Sequence, residues 1–253
     1  VSLRSLLEPV YERMLERECA VVPRHIAIIQ DGNRRYARAR GAGTALGHRA
    51  GADTTERLLE WACDLGIEHI TLYAFSTENF SRGPDELDEL FRLFREKLLA
   101  VITDERVHRN RIRVRVVGDR ALLPPDLRAA IESAEASTAG YSRFHLNVAL
   151  AYGGRNEIVS AARRILGEVA AGRVRPDEIT PALVDENLGE GSPLPPVDLI
   201  IRTGNEYRTS NFLPWQANGN ECAVYFCAPY WPQFRRIDLL RAVRIYRQRV
   251  EAA

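Results

Sequence analysis

Short apolar runs and helix-length amphipathic stretches take turns along this chain, about six times over, and that alternation limits the fold more than any single motif. Ile26 to Ile29, His69 to Phe75, Ile112 to Val117, Phe144 to Leu150, Val197 to Ile201 and Ala223 to Phe226 read as strands. Helical patterns fall between and after them: Gly47 to Leu65 ended by Gly66, Pro84 to about Asp104, a stretch to about Thr138, another to about Ala171, and Arg236 to Arg249. Strands separated by crossover helices pair in parallel, so the expectation is an α/β fold, with a central six-stranded, mostly parallel sheet flanked by helices. No composition shift or repeat divides residues 1–253, which read as a single domain. Residues 1–22 form its amphipathic helical lead-in, with Leu3, Leu6, Leu7, Val10, Met14 and Leu15 on one face.

Charge narrows the choice of partner. Thirty-five basic residues against thirty-four acidic ones leave a formal charge of +1, so no global field recruits nucleic acid, and any anion site must be local. Of the four cysteines, Cys19 and Cys63 are isolated in helical patterns, and Cys222 and Cys227 lie at an offset that points them to opposite faces of a strand. Reduced thiols and a cytoplasmic location are expected. No apolar run reaches the roughly 18 to 20 residues of a membrane span.

Three strand tips are unusually polar: Asp31-Gly32-Asn33-Arg34-Arg35, Ser76 to Arg82, and Arg202 to Asn211. The tips of parallel strands emerge on one edge, so Asp31, Asn79, Arg82, Arg202, Arg208 and Ser210 are placed to converge on one cleft. Guanidinium forks match phosphate oxygens, whereas a lone carboxylate among them would repel phosphate unless a divalent cation lay between. Gly41 to Gly47 is misplaced and misspaced for a dinucleotide fingerprint, and no P-loop is present. Asp85-Glu-Leu-Asp88-Glu89 reads as helix-dipole complement rather than a metal motif.

The segments HIAIIQDGNRRYARARG with Gly47-His48, LYAFSTENFSR, LNVALAYGGRNEI and DLIIRTGNEYRTSNFLPWQANGNECAVYF resemble, in order and spacing, the cis-prenyltransferase family of undecaprenyl diphosphate synthase-like enzymes, from about Pro23 to Arg249. The resemblance implies a homodimeric, magnesium-dependent transferase. It would condense isopentenyl diphosphate with an allylic diphosphate, farnesyl or geranylgeranyl, to make a Z-polyprenyl diphosphate. It also implies a hydrophobic tunnel for the prenyl chain, lined in part by the helix from Pro84, and leaves open a peripheral membrane contact through the lipid product.

Carried over by position, Asp31 is the catalytic carboxylate that holds magnesium, and Glu221 is the second metal ligand. Gly32, Asn33, Arg34, Arg35, Tyr36 and His48 match the allylic diphosphate segment; Ser76, Thr77, Glu78, Phe80 and Arg82 match a second binding segment. Asn79 matches the nominal proton acceptor, although a neutral amide is a poor base and is better suited to orienting. Arg202, Arg208, Thr209 and Ser210 match the isopentenyl diphosphate clamp.

The chain departs from bacterial members at Thr44, Arg34 and Tyr36, and its tail lacks the Arg-any-Gly motif. Pro214 and the NGNECAVYFCAP run look archaeal and favour a longer primer. A noncatalytic partner subunit, or a terpene-diphosphate phosphatase or cyclase on the same scaffold, are the competing readings. Retention of Asp31, Asn79, Arg202, Arg208 and Glu221 argues for activity.

Overall fold

Strand β1, His25–Ile29, is buried along its whole length, and its side chains divide between the two faces of the sheet. Ile26 and Ile28 join one apolar cluster while Ala27 and Ile29 join another, as the two-residue period of a strand requires. A strand covered on both faces must sit inside a sheet, with helices on either side. The computed structural model describes residues 3–191, 193–217 and 222–252.

Helix α1, Leu3–Glu18, precedes β1, and the short α2, Asn33–Arg38, and the long α3, Thr44–Leu65, follow it. Then come β2, His69–Ser76; α4, Pro84–Val101; α5, Glu105–Arg109; β3, Ile112–Val117; α6, Pro125–Thr138; and β4, Phe144–Tyr152. The chain continues through α7, Gly154–Ala170; α8, Pro181–Asn187; β5, Leu199–Arg202; β6, Ala223–Phe226; and α9, Arg236–Ala252.

The six strands lie in the order β3-β4-β2-β1-β5-β6, and every pairing is parallel. The expected sheet is therefore present, without the antiparallel edge that "mostly parallel" allowed, because crossovers rather than hairpins connect its strands. β1 leads away toward β2, whereas its neighbour β5 leads the other way to β6. Connections that diverge from adjacent strands leave a crevice at the strand tips. Here Asp31, just past β1, and Arg202, the last residue of β5, stand together at those tips.

One helix differs from the sequence reading. The pattern from Pro84 runs on to about Asp104, yet α4 stops at Val101, and Asp104 restarts the chain as the cap of α5 by accepting the Arg106 N–H at 2.8 Å. At the far side α1 packs on α9, with Leu15 fully buried and Glu8 paired to Arg235 at 2.7 Å. No described helix is long and apolar enough to cross a membrane.

Candidate active site

Asp31 follows β1 and is fixed through its backbone before its carboxylate is used. Thr203, one residue past β5, accepts the Asp31 N–H at 3.0 Å and donates its hydroxyl to the Asp31 carbonyl at 2.8 Å. The Trp231 N–H reaches the same carbonyl at 2.9 Å. Gly32 then turns with φ of 108°, and a Cβ there would lie 2.7 Å from the Tyr230 ring. Gly204, with φ of 84°, similarly leaves room for Arg35, whose Nη2 would be 2.6 Å from a Cβ. Both glycines combine a left-handed backbone with a close approach, so a side chain would be strained twice over.

The carboxylate is shared by two arginines from different elements. Arg35 Nη2 on α2 donates to Oδ1 at 2.9 Å, and Arg202 Nη2 on β5 donates to Oδ2 at 2.8 Å. Arg202 is 3% exposed, and its Nη1 also donates to Ser210 Oγ at 2.6 Å and to the Arg208 carbonyl at 2.5 Å. Its Nε is buried with no partner among the described residues. Glu206 lies between Arg35 and Arg208, at 3.8 and 3.2 Å. The arginines are thus held apart by carboxylates, which offsets the repulsion of gathering them.

A second wall comes from the tip of β2. Ser76 caps the single turn Thr77–Ser81, and Asn79 answers by accepting the Ser76 N–H through Oδ1 at 3.1 Å. Behind this turn Glu86 of α4 pairs with Arg82 at 3.0 Å, with His48 of α3 at 3.2 Å and with Arg34 at 3.9 Å. Burial pushes the His48 pKa down despite the opposing Glu86 hydrogen bond, which keeps the imidazole neutral at pH 7. Burial likewise lowers the Arg82 pKa.

These groups open into one cavity of about 1030 Å³. Asp31, Gly32, Asn33, Arg34, Arg35, His48, Ser76, Glu78, Asn79, Arg82, Arg202, Arg208 and Ser210 line it, so most of the sequence candidates meet at one place. Inward from them the walls become apolar: Leu72, Val114, Leu146, Val148 and Leu150 from the sheet, and Leu59, Leu90, Leu93, Phe94, Leu98 and Val101 from α3 and α4.

Four candidates do not line this cavity. Tyr36 lies under Arg40, 3.7 Å from its guanidinium carbon to the ring centroid; Phe80 packs on Phe75 at 4.9 Å; Thr77 faces a separate cleft beside Arg113 and Arg115; and Thr209 is exposed. Glu221 lies outside the described residues.

Other residues join the site without having been singled out. Glu206 and Asn211 lay within a tip already recognised as polar, and Arg155 ended the Tyr152-Gly153-Gly154-Arg155 tip, where its N–H now donates to Asn211 Oδ1 at 2.9 Å. Glu86 was hidden among first-turn carboxylates that also suit a helix dipole. Tyr230 is far away in sequence, with no local signal of its contact with Gly32.

Comparison with known proteins follows the same boundaries. The family model "Putative undecaprenyl diphosphate synthase" matches residues 29–252. The chain is 55% identical over 240 residues to the tritrans,polycis-undecaprenyl-diphosphate synthase (geranylgeranyl-diphosphate specific) of Halobacterium salinarum, covering 95% of this chain and 79% of that protein. It is 49% identical to the protein of the same name from Archaeoglobus fulgidus, over 96% of this chain and 97% of that one. Among solved structures it resembles lavandulyl diphosphate synthase from Lavandula x intermedia in complex with dimethylallyl diphosphate. The TM-score is 0.81 at 35% identity, covering 89% of this chain and 95% of that one.

Proposed function

Because the chain belongs to the undecaprenyl diphosphate synthase family of prenyltransferases, we propose that its cavity grips geranylgeranyl diphosphate by both head and tail and lengthens it with isopentenyl units. One observation carries this reading: a cluster of arginines at the mouth of the cavity gives way, without a break in the cavity, to an apolar interior. An anionic diphosphate on a hydrocarbon chain has that same division.

In this reading the segment from Asp31 to Arg35 holds the allylic diphosphate, with Arg82 and His48 on the facing wall. Arg202, Arg208 and Ser210 hold isopentenyl diphosphate. The partnerless Nε of Arg202 supports the assignment, since a buried donor without an acceptor is costly and a phosphate oxygen supplies one. The new bond forms between the terminal methylene carbon of the isopentenyl group and the allylic carbon as the allylic C–O bond breaks and diphosphate leaves. Bonding at that terminal carbon leaves the positive charge on the methyl-bearing tertiary carbon. A proton then leaves the methylene between this carbon and the diphosphate-bearing carbon to restore a double bond, in the Z geometry; a diphosphate oxygen is the available acceptor. Asn79 has no basic site, and its side-chain oxygen already accepts a backbone N–H, so its part is to orient. Charge accumulates on the departing diphosphate, and guanidinium groups already fixed in place stabilise it with no reorganisation.

Prenyltransferases of this kind generally need a divalent metal. The donor set here suits magnesium in that Asp31 offers hard carboxylate oxygens at the cavity. Magnesium characteristically takes one or two carboxylates together with substrate phosphates, so Asp31 and Glu221 would hold it jointly with the diphosphates. When bound, it supplies neutralising charge to the leaving diphosphate.

We also read the chain as a homodimer in a reducing cytoplasm, with a peripheral membrane contact through its lipid product. Val159 and Leu166 of α7 are 48% and 62% exposed, which suits burial against a second copy, and all four cysteines carry free thiols. The decisive experiment incubates the protein with magnesium, labelled isopentenyl diphosphate and a panel of allylic primers. Geranylgeranyl diphosphate should exceed farnesyl diphosphate in kcat/KM by about 10-fold, roughly the discrimination that added methylenes give in an apolar pocket. Equal use of both would overturn the primer assignment. Incorporation of no label would favour a noncatalytic subunit, and release of phosphate or a cyclic hydrocarbon would favour a phosphatase or cyclase.

A further inference from the structure

Helices α3 and α4 flank the cavity and are tied together twice. At the mouth His48 meets Glu86 at 3.2 Å. Farther down the same helices, Glu56 of α3 accepts from Lys97 Nζ of α4 at 2.8 Å. Helical rise places this second tie about 12 Å beyond His48 along α3 and about 16 Å beyond Glu86 along α4.

The second tie is part of a network. Arg106 of α5 donates to Glu56 at 2.9 Å, to Glu60 at 3.3 Å and to Asp104 at 2.7 Å. Hydrogen bonds from Lys97 and Arg106 outweigh the upward pull of burial and lower the Glu56 pKa, so the carboxylate is ionised at neutral pH. Glu56, Lys97 and Asp104 all line the cavity, next to Leu98, Val101 and Val107. Charged groups are out of place in such walls. The restart of the chain at Asp104, which caps α5, is what brings Arg106 into reach.

We propose that the Glu56–Lys97–Arg106–Asp104 network is the polar end of the hydrocarbon cavity and sets the length of the product. This rests on the reading that the prenyl chain occupies the cavity. Each isopentenyl unit added before the chain reaches the network moves apolar carbon out of water, which favours further growth. At the network the balance reverses. Glu56 and Lys97 are each 37% exposed, and a chain passing them must strip their water or part the pair, leaving a charge against hydrocarbon. Growth past this depth therefore loses the burial that drove the earlier steps. These side chains touch no reacting atom; they determine specificity by where they end the apolar wall.

The test compares product ladders, after removal of the diphosphate, for the wild type and for Lys97→Met, Glu56→Gln and Lys97→Arg. Phe94→Ala, on the apolar wall, serves as the control for occupancy. Lys97→Met keeps the length of the side chain and removes its charge, and should raise the share of products longer than the main wild-type species by at least about 5-fold, the ratio of rates for passing the network against stopping there. Glu56→Gln should act in the same direction, whereas Lys97→Arg should keep the wild-type ladder. If Lys97→Met does not fold, Glu56→Gln, which keeps the shape of the side chain, decides alone. An unchanged ladder in the charge-removing variants, with a shifted one in Phe94→Ala, overturns the network while leaving the occupied cavity intact. If Phe94→Ala also leaves the ladder unchanged, the chain does not lie in the cavity and both readings fall. A lower melting temperature with an unchanged ladder would reduce the network to a structural weld between α3 and α5.

Discussion

At the carboxyl end of β5, Arg202 is nearly inaccessible and is paired with Asp31, whose neighbour Arg35 completes a shared ionic centre. At the amino ends of β1, β2 and β4 the sheet also gathers titratable groups. His25, His69 and His145 are the first or second residues of their strands and fall in register, with ring centroids 5.7 and 4.3 Å apart. There the solution is the opposite one. Burial lowers all three pKa values, and the neighbouring rings and Arg24 help to bring His69 down from 6.5 to about 4. One end keeps charges and balances them, ready for an anion to rearrange. The other removes charge and packs the neutral rings. A parallel sheet makes the contrast natural, because its tips diverge into a crevice while its bases are closed by the incoming loops.

The ionic end should be fragile in function. Asp31→Ala removes the carboxylate between Arg35 and Arg202 and the oxygens offered to a metal, so kcat should fall at least about 10²-fold, the loss typical of one preorganised electrostatic group. Asp31→Asn, which keeps the shape of the side chain, should recover little of it. Steady-state kinetics at saturating substrates and metal check this, and near-normal turnover would remove Asp31 from the mechanism. Arg202, left buried without its partner, should also lower the stability of Asp31→Ala, so thermal unfolding has to be followed in parallel.

A gentler change divides the ionic end into its two halves. Arg208 is exposed beside Glu206, and Arg208→Lys keeps the charge while losing the fork that makes two parallel hydrogen bonds to a phosphate. The KM for isopentenyl diphosphate should rise by roughly 10-fold, about 1.4 kcal/mol, while the KM for the allylic substrate stays close to its wild-type value. Equal losses for both substrates would mean a single shared anion pocket rather than two clamps.

Much of this end was legible in the sequence because its chemistry is local. Asp31-Gly32-Asn33 and Arg202-Thr203-Gly204 each put polar and left-handed residues directly after an apolar strand, and that pattern states both the turn and its exposure to ligand. Phe91 and Phe94 show where such reading stops. Both lie on the apolar face of α4, yet Phe94 lines the cavity while Phe91 packs against Phe75 at 5.4 Å. Helical period assigns a face but cannot divide it between a core and a void. The Glu56–Lys97 tie and the histidine row depend on the register of separate elements, which no window along the chain contains.

The histidine row should give the smallest effect, and its sign follows from which state binds protons. His69 is neutral in the folded protein down to about pH 4 but takes a proton near pH 6.5 once unfolded. Between those values the unfolded chain binds more protons, so stability declines as the pH falls through this window and is fully recovered above it. A group of this kind contributes a slope of at most about 1.4 kcal/mol per pH unit, and His25 and His145 titrate in the same direction. Arg24 opposes protonation of His69 and Glu68 favours it, but Glu68 is already engaged by Arg24 at 2.6 Å and cannot rescue the ring. His69→Gln should therefore remove about one proton's worth of that slope in denaturant unfolding measured from pH 7 to pH 4.5, with little change in kcat at neutral pH. An unchanged slope would mean that the imidazoles are already charged in the folded state, and the contrast between the two ends of the sheet would then be one of position only.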